Sequence, residues 1–467
     1  MTPEKTLRVL FVFFTDPPRA FSSSVAALSP VVRAEGHESE ALEVFRGYTI
    51  DDVAAHIDGL APDVLALSCM TRDWPGAHAL IDRQTTDATV VVGGYHASLA
   101  PREVAECAGV HAICLGEGER PMARLLDRLS RGEAPESSPG LWVRDAKSDR
   151  GWAGDAPPAD SEPDIAALPW WDYEVFGSVP EAIEAGINTF GPLIDGYLPT
   201  RAGRGCPFSC AYCSAPSWGK LGRFSEKSRR NTRPVADLCD ELVSLRDRYR
   251  PEGFEFWDEH FPVDLAWLEA FAEVYPERVG LPFKVEMHPN AATRPRLTLL
   301  KKAGCSLFHC GIEAGDEAFR RDVLNRRTSD ARLQAVFDDC RDLGLETSAS
   351  LMTMLPGETR EQMKATTALL HRLKPGSFMW SNFHPLPSTV LGEAGVEQAG
   401  DKVDAMQRVE EMGGGLGAAG DHEKLHQALE QACRDAIKEV ALEETKPHTI
   451  RRRRQKRSRL APADEEE

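Results

Sequence analysis

The sequence predicts an α/β protein: a doubly wound, Rossmann-like N-terminal domain, then a partial (β/α)6 TIM-type barrel, and a short helical C-terminal region. Three observations predict it. Apolar strand-like runs alternate with helical stretches over the first 130 residues, which implies βαβ units and a parallel sheet. The alternation breaks in a stretch rich in Pro, Gly, Ser and Asp, from Glu133 to Ser161, and then resumes for six further repeats. At 467 residues the chain is also longer than one core usually grows.

In the first domain the strands read as Leu7–Phe14, Val64–Ser68, Thr89–Val92 and Ala112–Leu115. Polar or glycine-rich residues follow each of them, where ligands of doubly wound sheets bind. In the barrel the first strand ends at a cysteine loop, and the others read as Phe254–Trp257, Phe283–Met287, Leu307–Ile312, Thr347–Leu355 and Ser377–Phe383. Pro356 and Gly357 read as a turn, with Glu358 capping the helix after it. GGGLGAAG at Gly413–Gly420 reads as a flexible link, and Leu425, Leu429, Ala432, Ala436, Ile437 and Val440 recur at helical spacing. The expected domains are residues 1–135, a connection over 136–195, a barrel over 196–392, a helical region over 393–450 and a charged tail over 451–467.

A net charge of -18 argues against gripping phosphate backbones, which needs a basic footprint, so the RRRRQKRSRL run reads as a charged tail and nucleic acid is not an expected partner. The apolar run of MTPEKTLRVLFVFF is too short for a signal segment, and no run of 18 apolar residues follows. A cytoplasmic protein is expected, with its eleven cysteines reduced and open to metals.

Only one cysteine group is tightly clustered. GRGCPFSCAYC spaces Cys206, Cys210 and Cys213 as C-x3-C-x2-C. Three thiolates can hold three irons of a cubane and leave the fourth iron open. A structural zinc ion would want a fourth ligand, and Cys239, Cys305 and Cys310 lack paired spacing with this loop.

The loop resembles the signature of radical SAM enzymes, including an aromatic residue, Tyr212, before the third Cys. That resemblance implies a 4Fe-4S cluster whose open iron takes S-adenosylmethionine, and an electron donor of flavodoxin or ferredoxin type. FEFWDEHF, with Asp258 and Glu259, looks like the family segment that faces the methionine part of the cofactor. Glu313 in GIEAG looks like the residue that meets the ribose hydroxyls, which a carboxylate can accept in pairs. Met354 and Ser388 depart from the pattern, standing where relatives commonly carry Gly.

In the first domain Ser68-Cys69-Met70, Gly93-Gly94 and GEGE at Gly116–Glu119 are similar to parts of the cobalamin-binding pattern. The likeness implies that Ser68, Thr71, Gly93, Gly94, Gly116 and Glu117 contact cobalamin, with the Gly pair letting a nucleotide tail pass close to the backbone. The first part of that pattern, DxHxxG, is missing: the first strand runs into FFTDPPRAF. Cobalt is then expected to lack a protein imidazole, with the loop Met70–Arg72 below it.

The function implied is a cobalamin-dependent radical SAM C-methyltransferase, acting through a 5'-deoxyadenosyl radical and methylcobalamin on an unactivated carbon of a small metabolite or natural-product intermediate. A non-methylating enzyme of the same build, forming or contracting a ring or oxidising, is the alternative. A cluster- or cobalamin-based sensor is a third. A thiomethylating relative would need three further clustered cysteines, whereas Cys69, Cys107 and Cys114 are scattered.

Overall fold

The computed structural model describes residues 5–15, 21–45, 49–145, 147–148, 151–158, 164–177, 196–218, 231–353 and 355–399. The expected helix over Leu425–Val440, the tail and Met354 lie outside the described residues.

The first sheet contains β1 (Arg8–Thr15), β2 (Glu38–Phe45), β3 (Val64–Ser68), β4 (Thr89–Gly93), β5 (Ala112–Cys114) and β6 (Leu141–Val143). Their order is β2-β1-β3-β4-β5-β6, with β6 antiparallel and the others parallel. Strands buried on both faces read as continuous apolar runs, because successive side chains point to opposite sides. Along β1, Val9, Phe11 and Phe13 enter one core while Leu10 and Val12 enter the other. The strand order reverses between β1 and β3, which places a ligand crevice at their carboxyl ends. Register aligns Phe13 with Ser68, and Ser68 with Gly93, so Ser68 and Gly93 reach that crevice at one level.

Two strands escape the sequence reading. β2, ESEALEVF, is an edge strand whose outward Glu38 and Glu40 mask its apolar content. β6 lies in the segment read as a connection, so the sheet extends further along the chain than the apolar pattern suggests.

The second sheet is a six-stranded parallel partial barrel: β7 (Tyr197–Thr200), β10 (Gly253–Phe256), β11 (Phe283–Glu286), β12 (Cys305–Glu313), β13 (Glu346–Thr353) and β14 (Ser377–Asn382) in that order. A short antiparallel pair, β8 (Gly203–Arg204) with β9 (Asn231–Thr232), flanks it. Its core is aromatic, with Phe256, Phe261, Phe271 and Tyr275 set around Phe283.

The connection over residues 164–177 stitches the two units together. Phe21, beyond β1, packs against Trp171, Tyr173, Phe176 and Trp257 with ring centroids 4.8 to 5.7 Å apart. Ser29 Oγ donates to Asp172 at 2.6 Å, and Tyr173 Oη donates to the Pro199 carbonyl at 2.6 Å. The carboxyl ends of both sheets are therefore held facing one space.

Candidate functional site

The loop after β7 carries the three cysteines, and its backbone is fixed before it reaches them. Asp258 is buried and accepts from the backbone N–H of Ala202 at 3.0 Å and of Gly203 at 2.6 Å. Glu259 accepts from Gly205 N at 3.1 Å. Burial pushes the Asp258 carboxyl up to about 7, against the two N–H donors and the Arg201 charge that favour its ionised form. Both Asp258 oxygens are thus occupied by the loop backbone. Arg204 is buried, and its guanidinium meets Glu117 at 2.7 Å and Glu119 at 2.6 Å. Burial disfavours that cation, yet the two carboxylates outweigh it and raise its pKa.

Beyond Cys206 the loop is pinned from the barrel side. Ala211 N donates to the Leu324 carbonyl at 2.9 Å and Asn325 Nδ2 to the Ser209 carbonyl at 2.7 Å. Phe208 lies flat on His288 with centroids 3.7 Å apart. Burial lowers the His288 pKa to about 2, so this ring is neutral. Cys213 opens the helix Ser214–Trp218 and its Sγ accepts from Ala215 N at 3.4 Å. Burial pushes the thiols up, Cys206 to about 11 and Cys213 to about 12, so they ionise readily only with a metal cation to stabilise the thiolates.

Among the described residues one group of His, Cys, Asp and Glu ligand atoms lies within 4.8 Å of one another: His78, Asp82 and Cys107. Cys206, Cys210 and Cys213 are not in that group.

Glu313 ends β12 with φ +69, at a register shift against β13. Its carboxyl is buried, which raises its pKa, and the nearby Arg326 charge and a Tyr212 hydrogen bond oppose the rise. A Cβ on Gly311 would fall 2.0 Å from Glu313 Oε1, so a larger residue there must move that carboxylate. Glu358 does not cap its helix: Thr359 accepts from Gln362 N at 3.3 Å, while Glu358 is buried with Oε2 unpartnered. Ser388 takes φ +59 and donates to the Leu99 carbonyl at 2.8 Å, tying the barrel to the first domain.

A cleft of about 1100 Å³ opens between the two units. Ser68, Gly93, Gly94, Gly116 and Glu117 line one side, and Gly205, Cys206 and Glu259 the other. Gly94 has φ +90, and a Cβ on it would stand 2.8 Å from the Cys69 carbonyl oxygen, so only glycine fits there. Gly116 N donates to Ser98 Oγ at 3.1 Å. The structure brings these expected residues together; Thr71, on a 3-10 turn (Thr71–Asp73), and the neighbouring Met70 and Arg72 are not among the lining residues. Tyr212, Asp258 and Glu313 are not among the residues that line this cleft: Tyr212 meets Arg326, and Asp258 holds the loop backbone. Arg201, Arg204, Tyr95 and Trp218 also line the cleft, and the sequence reading missed them. Tyr95 and Trp218 meet across the two units with ring centroids 5.0 Å apart. Proximity to the Gly pair and to the third Cys was the available signal.

Fold and site together define an iron–sulfur enzyme with a doubly wound cofactor domain ahead of its barrel. Residues 19–126 match the B12 binding domain family and residues 200–370 match the radical SAM superfamily. An uncharacterized methyltransferase of Pyrococcus horikoshii is 24% identical over 386 residues, covering 81% of this chain and 78% of its own. An anaerobic magnesium-protoporphyrin IX monomethyl ester cyclase of Rubrivivax gelatinosus is 24% identical over 374 residues, 76% of this chain and 61% of its own. The solved structure of TsrM, a radical S-adenosylmethionine methyltransferase from Kitasatospora setae, shares the fold with TM-score 0.64 at 19% identity, over 84% of this chain and 75% of that one. The chain belongs to the cobalamin-binding radical SAM enzymes, and its cofactors are a 4Fe-4S cluster, S-adenosylmethionine and cobalamin. Gly94, where a Cβ would meet the Cys69 backbone, and the three thiols gathered on one loop fit these groups. No helix among the described residues is long and apolar enough to cross a membrane.

Proposed function

We propose that the enzyme is a C-methyltransferase that acts on an unactivated carbon of a small metabolite or natural-product intermediate. The observation that carries the reading is the single cleft shared by Ser68, Gly93, Gly94, Gly116 and Glu117 with Cys206 and Glu259. Methyltransferases among the relatives support it. When bound, the cofactors would supply hydrogen abstraction and the methyl group, which are the difficult steps.

The chain's own work is positioning. Cys206, Cys210 and Cys213 hold the cluster, and the Asp258 and Glu259 bonds keep the loop before them in place. Glu259 on the cleft wall, and Tyr212 and Glu313 beside the cysteines, would contact S-adenosylmethionine. Ser68, Gly93, Gly94, Gly116 and Glu117 seat cobalamin, and Thr71 contributes through its turn. Arg204 spans from the cysteine loop to Glu117, fixing the distance between the two cofactor seats. Tyr95 and Trp218 close the cleft above the substrate and keep water out. A flavodoxin- or ferredoxin-type protein in the cytoplasm supplies the electron.

The cyclase relative favours a second reading, in which the same cofactors form a ring and no methyl is transferred. Methyl-labelled S-adenosylmethionine with reductant and substrate separates the two. Label in the product is expected. Deoxyadenosine formed and substrate consumed with no label in product would refute methylation.

A further inference from the structure

Arg326 follows the helix Glu317–Asp322 and is buried, with 6% of its surface exposed. One edge of its guanidinium is fully used by a single carbonyl: Nη2 donates to Gly311 O at 2.5 Å and Nε to the same oxygen at 3.2 Å. That grip aims the other edge at the cysteine loop. Nη1 lies 3.5 Å from Cys210 Sγ and 3.3 Å from Tyr212 Oη. Gly311 allows the approach, since a Cβ there would sit 2.9 Å from Arg326 Nη2. A buried cation beside a cluster sulfur, donating an N–H to it, favours the form of the cluster that carries one more electron.

We propose that Arg326 is a positioning residue for the electron-transfer step, setting the reduction potential of the cluster through its N–H on Cys210. The inference rests on Cys210 holding iron. The step is the addition of one electron from an external one-electron reductant to the oxidised cluster, with no bond made or broken. Glu313 faces the same guanidinium and offsets part of its charge, so the effect is smaller than that of an unopposed cation. The geometry separates charge from packing, because Tyr212 touches the same Nη1 without carrying a charge.

The test is a mediated redox titration of the full-length, cluster-loaded protein without added S-adenosylmethionine, followed by the paramagnetic signal of the reduced cluster. Iron and sulfide are counted in each sample. Arg326→Met is expected to lower the ratio of reduced to oxidised cluster at fixed potential by about tenfold, which is about 59 mV for one electron. Arg326→Lys, which keeps the charge, is expected to stay within about threefold of the parent, and so is Tyr212→Phe. An Arg326→Met ratio within about twofold of the parent at full iron content would overturn the proposal. So would a Tyr212→Phe shift as large as that of Arg326→Met, because loosening alone would then explain both. If Arg326→Met loses iron, Arg326→Gln replaces it with the same expected shift, and loss of iron from both makes Arg326 structural and ends the proposal. Absence of iron from the parent protein is a different failure, that of the cluster assignment itself.

Discussion

Replacing Arg204 by Met tests whether the two cofactor seats are held together by a buried ion cluster. Its side chain is 6% exposed, and its partners differ: Glu119 is 4% exposed and Glu117 22%. Removing the cation leaves Glu119 as an uncompensated buried carboxylate, while Glu117 can turn toward the cleft and solvent. Breaking a buried pair by deleting one partner costs about 3–5 kcal/mol, and the partly open Glu117 puts the expected loss near 3 kcal/mol. Anaerobic urea unfolding of the cofactor-loaded protein, followed by tryptophan fluorescence, reads it. The double change Arg204→Met with Glu119→Gln removes the stranded charge and is expected to recover at least about half of the loss. A single-variant loss under about 1 kcal/mol, with no recovery in the double variant, would refute the reasoning.

Three further expectations follow from particular contacts. Gly94→Ala places a methyl 2.8 Å from the Cys69 carbonyl oxygen at φ +90, so roughly 2 kcal/mol of stability and cobalamin binding are both lost, read by unfolding and by absorbance after cobalamin addition. Gly311→Ala drives Glu313 from its place and is expected to weaken S-adenosylmethionine binding by about tenfold or more in equilibrium dialysis, while iron content holds. Burial pushes Glu358 up from 4.5 to about 8. Its contribution to stability is complete below about pH 4.5 and is lost as pH rises toward 8, at up to about 1.4 kcal/mol per unit. Glu358→Gln should flatten that fall, and identical pH profiles for the two proteins would count against it.

Much of the fold and the centre of the site were legible in the sequence because they rest on local patterns. The cysteine spacing sits within eight residues, and buried parallel strands announce themselves as apolar runs. What escaped was non-local or masked. Arg204 lies 85 residues from Glu119, and Arg326 lies 116 from Cys210, separations that no spacing rule covers. β2 was hidden by its glutamates, and β6 by the Pro- and Ser-rich segment around it. Asp258 shows a different gap: its position at a strand end was readable, but its commitment to the Ala202 and Gly203 N–H groups depends on how the loop folds back.

The most direct test is the metal content and spectra of the protein purified without oxygen. About four irons, about four sulfides and one cobalt per chain are expected, with a cubane signal on reduction and a cobalamin absorption spectrum. Replacing Cys206, Cys210 and Cys213 together by Ala should abolish the iron signal. A protein that takes up iron but no cobalamin, or that keeps its cluster without those three thiols, would contradict the account of one cleft shared by two cofactors.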